Sequence, residues 1–282
     1  MKQVMLGLIA LVATFSIQAQ IKTPQPSPLS KMEQTVGLTN VTLEYSRPSM
    51  RGREVFGNLV PYGKMWRTGA NANTKISFSD AIIIDGKTLK AGTYAIYTIP
   101  NETSWDVIFY TDSENSGLPK TWDDSKVALK AQAQVYPMPV DIETFTMTFD
   151  DLTNDSAVLG MLWGQVYAGV KFEVPTDVMV MKNIENTMKG SPTANDYYAS
   201  AVYYFESGKD INQAKTWIDK SITMTPKPAF WQLRKQSLIL AKSGDKKGAI
   251  AAAKKSLASA EAAGNSDYVK MNTDSLKEWG AL

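Results

Sequence analysis

The sequence predicts a chain that is all-β in its first half and all-α in its second. The expected architecture is an antiparallel β-sandwich or open barrel followed by a module of repeated helical hairpins. Three observations carry this. Short β-type runs separated by turn residues fill the stretch from Val36 to Val174. After Pro175 the apolar residues change from alternating to helical spacing. The charge changes sign with them: residues 20–186 carry 15 basic and 19 acidic groups, residues 187–282 carry 14 and 9.

The chain begins with Met1-Lys2, an apolar run from Val4 to Ile17, and Ile17-Gln18-Ala19. A short basic start, an apolar stretch too short to span a bilayer and a small residue at the end read as a secretory signal peptide over residues 1–19. Residues 20–35, with Pro24, Pro26 and Pro28 among polar residues, read as an extended lead-in. The 282 residues include no cysteine and no histidine. An exported chain without cysteine suits a bacterial envelope, so the expected location is the periplasm of a Gram-negative bacterium. No later run is long and apolar enough to suggest a membrane span in the mature chain.

The β domain is expected over residues 36–177. Thr39–Tyr45 alternates apolar and polar residues as a half-buried strand does. Ile82-Ile83-Ile84 meets Asp85-Gly86, a two-residue hairpin signal, with a return strand through Leu89. Further strands are predicted at 75–79, 93–99, 105–110, 126–135, 143–149, 157–163 and 165–174. A connecting helix and linker occupy 178–192, broken by Gly190-Ser191-Pro192.

Residues 193–282 form the helical part. Thr193 and Asp196 are spaced as a capping pair. Gly208-Lys209-Asp210-Ile211-Asn212-Gln213-Ala214 parallels Gly244-Asp245-Lys246-Lys247-Gly248-Ala249, and the two alanines lie 35 positions apart. The spacing, the small residue on each second helix and Thr225-Pro226 resemble tetratricopeptide repeats, without their Trp-x-x-Leu-Gly signature. The full reading is therefore an antiparallel β-sandwich followed by a tetratricopeptide-like helical module, with residues 266–279 as a capping helix. Such stacks present a face to a protein or peptide partner. Apart from Arg234, every cation of this part is a lysine, which reads as a solvated face or a docking face for an acidic partner. Nucleic acid is not expected as a partner of an exported chain with an acidic first domain.

The missing residue types remove whole classes of chemistry. Without cysteine there are no disulfides, thiolate metal sites or thiol nucleophiles; without histidine the commonest general base and metal ligand are gone. No cofactor, metal site or catalytic residue is predicted, and the reading leans away from an enzyme. Adjacent acids at Asp123-Asp124 and Asp150-Asp151, with Asp155 nearby, read as turn chemistry rather than a catalytic pair or calcium loop.

Four of the five arginines, Arg47, Arg51, Arg53 and Arg67, fall in one short stretch with Tyr45, Tyr62 and Trp66. Concentrated arginine suggests planar, two-pronged contacts to carboxylate or phosphate, and the aromatic residues suggest a flat face for a ring or sugar. The candidate ligand-binding residues are Arg47, Arg51, Arg53, Trp66, Arg67, Asn71 and Asn73. The alternative is scaffold: Glu44 and Glu54 as ion-pair partners, Trp66 as core, and the glycines as ordinary turns. The leading functional reading is a non-enzymatic module that binds a protein or peptide through its helical repeats; the alternative to it is a small anionic or carbohydrate ligand at this arginine stretch, with hydrolysis through Glu44 or Glu54.

Ser46-Arg47-Pro48, Gly52-Arg53, Val55-Phe56-Gly57, Val60-Pro61-Tyr62-Gly63, Trp66-Arg67-Thr68-Gly69-Ala70-Asn71, Thr74, Gly92-Thr93-Tyr94 and Ile99-Pro100 closely resemble the bacterial domain-of-unknown-function family numbered 2911, over about residues 28–175. The resemblance implies an exported β-rich domain, often followed by helical repeats, and supplies no activity or catalytic residues.

Overall fold

The structure is a computed structural model that describes residues 23–282. The expected signal peptide lies outside the described residues. The chain divides into two compact units between Pro175 and Thr176.

The first unit contains nine strands: β1 Leu29–Val36, β2 Thr39–Ser46, β3 Ala70–Phe78, β4 Ile82–Ile84, β5 Lys87–Leu89, β6 Gly92–Pro100, β7 Ser104–Tyr110, β8 Val127–Asp150 and β9 Ser156–Glu173. All pair antiparallel in one sheet ordered β1-β2-β3-β6-β7-β8-β9-β4-β5. From Leu29 onward the lead-in pairs in full register with β2, so β1 begins inside it. The four predicted strands between 126 and 174 are two long ones. β8 and β9 pair from Gln134–Gly169 to Asp150–Val158, and register shifts between Pro137 and Ile142 and between Ile142 and Thr146 mark where the ladder is irregular. Such irregularities bend a strand and raise its twist.

Those bends let the sheet fold on itself. The end of β2 runs into Arg47–Met50, which meets β8: Met50 N–H donates to Glu143 O at 2.8 Å and Phe145 N–H to Pro48 O at 2.8 Å. The Tyr45 hydroxyl accepts from Met147 N–H at 2.8 Å and sits 3.3 Å from Met147 O. The enclosed core holds Trp105, Trp163, Phe109, Phe145 and Phe172, all almost fully buried. Each such ring removes about 150–250 Å² from water, worth about 4–6 kcal/mol. A smaller cluster of Ala95, Tyr97, Ile108 and Tyr110 lies on the opposite face of the same strands, as period-two alternation requires.

Of the paired acids and their neighbour, Asp123, Asp150 and Asp155 take structural partners. Asp123 caps a short 3₁₀ turn by accepting from Ser125 N–H. Asp150 accepts from Thr148 and from the Tyr167 hydroxyl. Asp155 accepts from Thr153. Burial first, and then Asp150, push the Tyr167 phenol well above its ordinary value.

The second unit has six helices: α1 Thr176–Met188, α2 Ala194–Glu206, α3 Ile211–Met224, α4 Phe230–Lys242, α5 Lys246–Ala262 and α6 Ser266–Glu278. Thr193 and Asp196 close the predicted capping box at α2. The internal repeat recurs in atomic detail. Asp210 and Asp245 cap α3 and α5. Ala214 and Ala249 are fully buried where the helices of each pair approach. Ser221 Oγ donates to Ala194 O at 2.8 Å, and Ser256 Oγ to Phe230 O at 2.7 Å. Each serine thus ties the second helix of a pair to the first residue of the helix before it. The α2–α3 and α4–α5 pairs are therefore equivalent hairpins, and α6 packs against α4 and α5.

Candidate functional site

The arginine segment, residues 45–74, joins β2 to β3, and its backbone is held in unusual conformations. Arg51, Thr68 and Asn71 have φ of 51°, 55° and 59°. Asparagine tolerates this region, but for a β-branched threonine it is a strained state that surrounding bonds must hold. Thr68 is fully buried. Its hydroxyl lies 3.0 Å from that of Thr98, and its carbonyl accepts from Thr74 Oγ1 at 2.5 Å. Gly69 follows at φ 145°, where a Cβ would stand 3.0 Å from both Ser46 O and Thr74 Oγ1. Trp66 is tied to β6 by two backbone bonds with Thr98. Arg67 is thus mounted between a residue paired to the sheet and a strained, fully bonded turn.

A cavity of about 370 Å³ opens here, lined by Arg51, Arg53, Arg67, Trp66 and Trp163 with Pro26, Ser27, Pro48, Ser49, Leu59, Val60, Gly69 and Ala70. Its aromatic wall is a stacked pair, Trp66 and Trp163, with centroids 5.8 Å apart and planes 18° apart. Trp66 also meets Phe56, Trp105 and Phe145 edge-on. Trp163 is anchored by its indole N–H on Glu143 O at 3.2 Å. No carboxylate lines the cavity.

The guanidinium groups differ in what holds them. Arg51 Nη2 donates to Pro26 O at 3.0 Å, which pins the lead-in as one wall. Arg53 donates through Nε to Met50 O at 2.8 Å and through Nη2 to Ser49 O at 2.7 Å. Neutral carbonyls orient both charges without cancelling them. Half-buried Arg67 has no hydrogen-bond or ion-pair partner among the described residues; the chain passes it closely at Gly117, where a Cβ would lie 3.2 Å from its Nη1.

The remaining predicted site residues lie elsewhere. Arg47 does not line the cavity: its Nε donates to Phe145 O at 3.1 Å and its Nη2 to Thr146 Oγ1 at 2.7 Å, a strut between β2 and β8. Asn71 donates to Ser27 O at 3.1 Å and so also fastens the lead-in. Asn73 is 3% exposed and outside the lining, near the Tyr97 hydroxyl, yet neither of its side-chain polar atoms makes a hydrogen bond. The expected arginine–glutamate pairs do not form. Glu44 faces the other side of β2 from Tyr45 and pairs with Lys31 at 2.6 Å, and Glu54 has no ion pair among the described residues. Trp163 was not among the predicted residues. Ala157, Leu159, Met161 and Trp163 are all buried, so the alternation of β9 puts Trp163 on the inner face.

Comparison with curated proteins and with solved structures gives no match. The family model described as a protein of unknown function, DUF2911, matches residues 27–172. That span covers the whole cavity lining but Pro26, and on it the chain belongs to the DUF2911 family.

Proposed function

We propose that the β domain is a binding module for a small organic anion, a carboxylate or phosphate carried on a flat ring or sugar. The observation that carries this reading is the cavity itself: three guanidinium groups and two stacked tryptophans around one opening, with no carboxylate in its lining. Three cations in a lining without a carboxylate favour an anion from outside the chain; the nearest acid seen, Glu143, is engaged by the Arg51 backbone N–H at 2.9 Å. The volume is at the small end of ligand pockets. Arg67 would supply the uncommitted fork, and Arg51 and Arg53 the Nη1 groups left over from their carbonyl bonds. At about 1.5–3 kcal/mol per charge-assisted bond, two such bonds correspond to a Kd from several millimolar down to roughly tens of micromolar. Neither Glu44 nor Glu54 lines the opening, so the reading stops at binding and includes no hydrolysis.

Export to the periplasm belongs to the same proposal and rests on the pattern of residues 1–19. The helical unit would act as a tetratricopeptide-like module for a protein or peptide partner. Its support is the pair of equivalent hairpins with matching caps and serine ties. Isothermal titration with phenyl phosphate, benzoate and glucuronate tests the cavity. Saturable binding of at least one, weakened by Arg67→Ala, is expected; no heat from any of the three in the intact protein overturns the reading.

A further inference from the structure

The lead-in before β1 is the least secured part of the cavity wall. The ladder to β2 begins at Leu29, opposite Ser46, and the last backbone bond before it runs from Arg47 N–H to Pro28 O at 2.9 Å. Upstream of Pro28, residues 23–27 are exposed or half-buried, and none belongs to the core. Among the described residues, two side-chain bonds hold them. Arg51 Nη2 donates to Pro26 O at 3.0 Å, and Asn71 Nδ2 donates to Ser27 O at 3.1 Å. Pro26 and Ser27 nevertheless line the cavity. A segment with no apolar anchor and only exposed hydrogen bonds opens at low free energy.

The segment is built to move as a piece. Pro24, Pro26 and Pro28 alternate with Gln25 and Ser27. Proline fixes its own φ and carries no N–H, so the run is stiff, extended and unable to extend the ladder of β1. The two side chains that grip it stand on fixed turns. Arg51 and Asn71 have left-handed backbones, at φ 51° and 59°. Arg51 N–H donates to Glu143 Oε1 at 2.9 Å, and Asn71 O accepts from Ser116 Oγ at 3.4 Å. Asn71 also follows Ala70, which pairs with Ser46.

We infer that residues 23–27 form a strap that lifts to admit the anion and closes over it, with Asn71 and Arg51 as the positioning residues that latch it. The inference rests on reading the cavity as an anion site and adds how that site closes. Arg51 couples the two events: Nη2 grips the strap and Nη1 is left for the ligand, so an anion on Nη1 fixes the guanidinium where it holds Pro26 O. The chain has no cysteine, so one introduced thiol reports on the strap alone. Ser27→Cys places it in the cavity wall, and its rate of reaction with neutral methyl methanethiosulfonate follows strap opening. Phenyl phosphate, benzoate or glucuronate at four times its Kd is expected to slow that reaction about fivefold and to leave the rate at exposed Lys254→Cys unchanged. Asn71→Gly keeps the left-handed turn and loses the latch. Combined with Ser27→Cys, it is expected to raise the ligand-free rate about two- to tenfold and to weaken affinity by a similar factor, the worth of one neutral hydrogen bond. Should Asn71→Gly fail to fold, Pro24→Gly softens the strap outside the cavity lining and both latches, and is expected to raise the rate as well. An unchanged rate in folded Asn71→Gly, or in Pro24→Gly where that variant replaces it, overturns the inference. Equal rates with and without a titrant whose binding gives heat overturn it while leaving the anion site in place. Absence of heat from all three removes the anion site, and the strap falls with it.

Discussion

Arg47 and Arg67 are 20 positions apart in one arginine-rich stretch, yet their truncation should have opposite consequences. Arg47 donates to Phe145 O at 3.1 Å and Thr146 Oγ1 at 2.7 Å and so ties the end of β2 to the bent part of β8. Arg47→Ala removes two charge-assisted bonds worth about 1.5–3 kcal/mol each, less what water recovers at a half-buried site, for a net loss of about 2–4 kcal/mol. For a domain of this size that lowers Tm by roughly 4–16 °C. Arg67 has no partner among the described residues, so Arg67→Ala strands nothing and should cost under about 1 kcal/mol. Its expected effect falls on ligand affinity instead, about 1–3 kcal/mol or roughly 5- to 150-fold. Thermal melts followed by near-ultraviolet circular dichroism read both. Equal destabilisation by the two variants would refute the division into strut and free cation and return Arg67 to the scaffold.

Stability should fall on the alkaline side. Burial raises the phenols of Tyr62, Tyr94, Tyr97, Tyr167 and Tyr198 above the ordinary value of 10.0, so the unfolded chain releases these protons first. Their contribution is fully present below pH 10 and is lost as pH rises through the native values; urea midpoints at pH 9 and 11 should differ, less so for Tyr167→Phe. Gly160→Ala would drive a Cβ into Asp150 and Thr148 and should cost about 1–3 kcal/mol by urea denaturation, with neutral behaviour contradicting the close packing of β8 and β9. Limited proteolysis should cut first at the exposed Lys189-Gly190-Ser191 stretch and leave a folded β fragment; survival of that stretch would show the helices to be integral to it. Mass spectrometry of protein from the periplasmic fraction should find a chain starting at Gln20, and an intact Met1 there would contradict cleavage.

The elements legible in sequence were those with one strongly patterned face. β2 alternates cleanly because one side is core, and β4–β5 announces itself through Asp85-Gly86, whose φ values of 50° and 72° are the left-handed pair such a turn needs. β1 was hidden because its partner covers one edge only: Leu29, Lys31 and Glu33 are exposed, so the strand carries little apolar signal. β8 read as two strands because Pro137 and Pro139 interrupt its pattern, and only the ladder to β9 shows that the chain runs through them. The arginine cluster was visible as a concentration of one residue type. Its division into strut, wall and free cation was not, because the acceptors of Arg47 are nearly a hundred residues away and those of Arg51 lie in the lead-in. Trp163 escaped because nothing in the sequence joins it to an arginine stretch nearly a hundred residues away, although its neighbours already marked the inner face of β9.

The central claim, an anion seat at Arg67 beside the tryptophan pair, is tested most directly by nuclear magnetic resonance of arginine Nε–H and indole N–H groups during titration with phenyl phosphate. The expected result is saturable shifts of the Arg67 and Trp66 signals together, with the Arg47 signal unmoved because both its contacts are internal. Shifts spread evenly over exposed cations, or no movement of Arg67 at millimolar ligand, would contradict the claim.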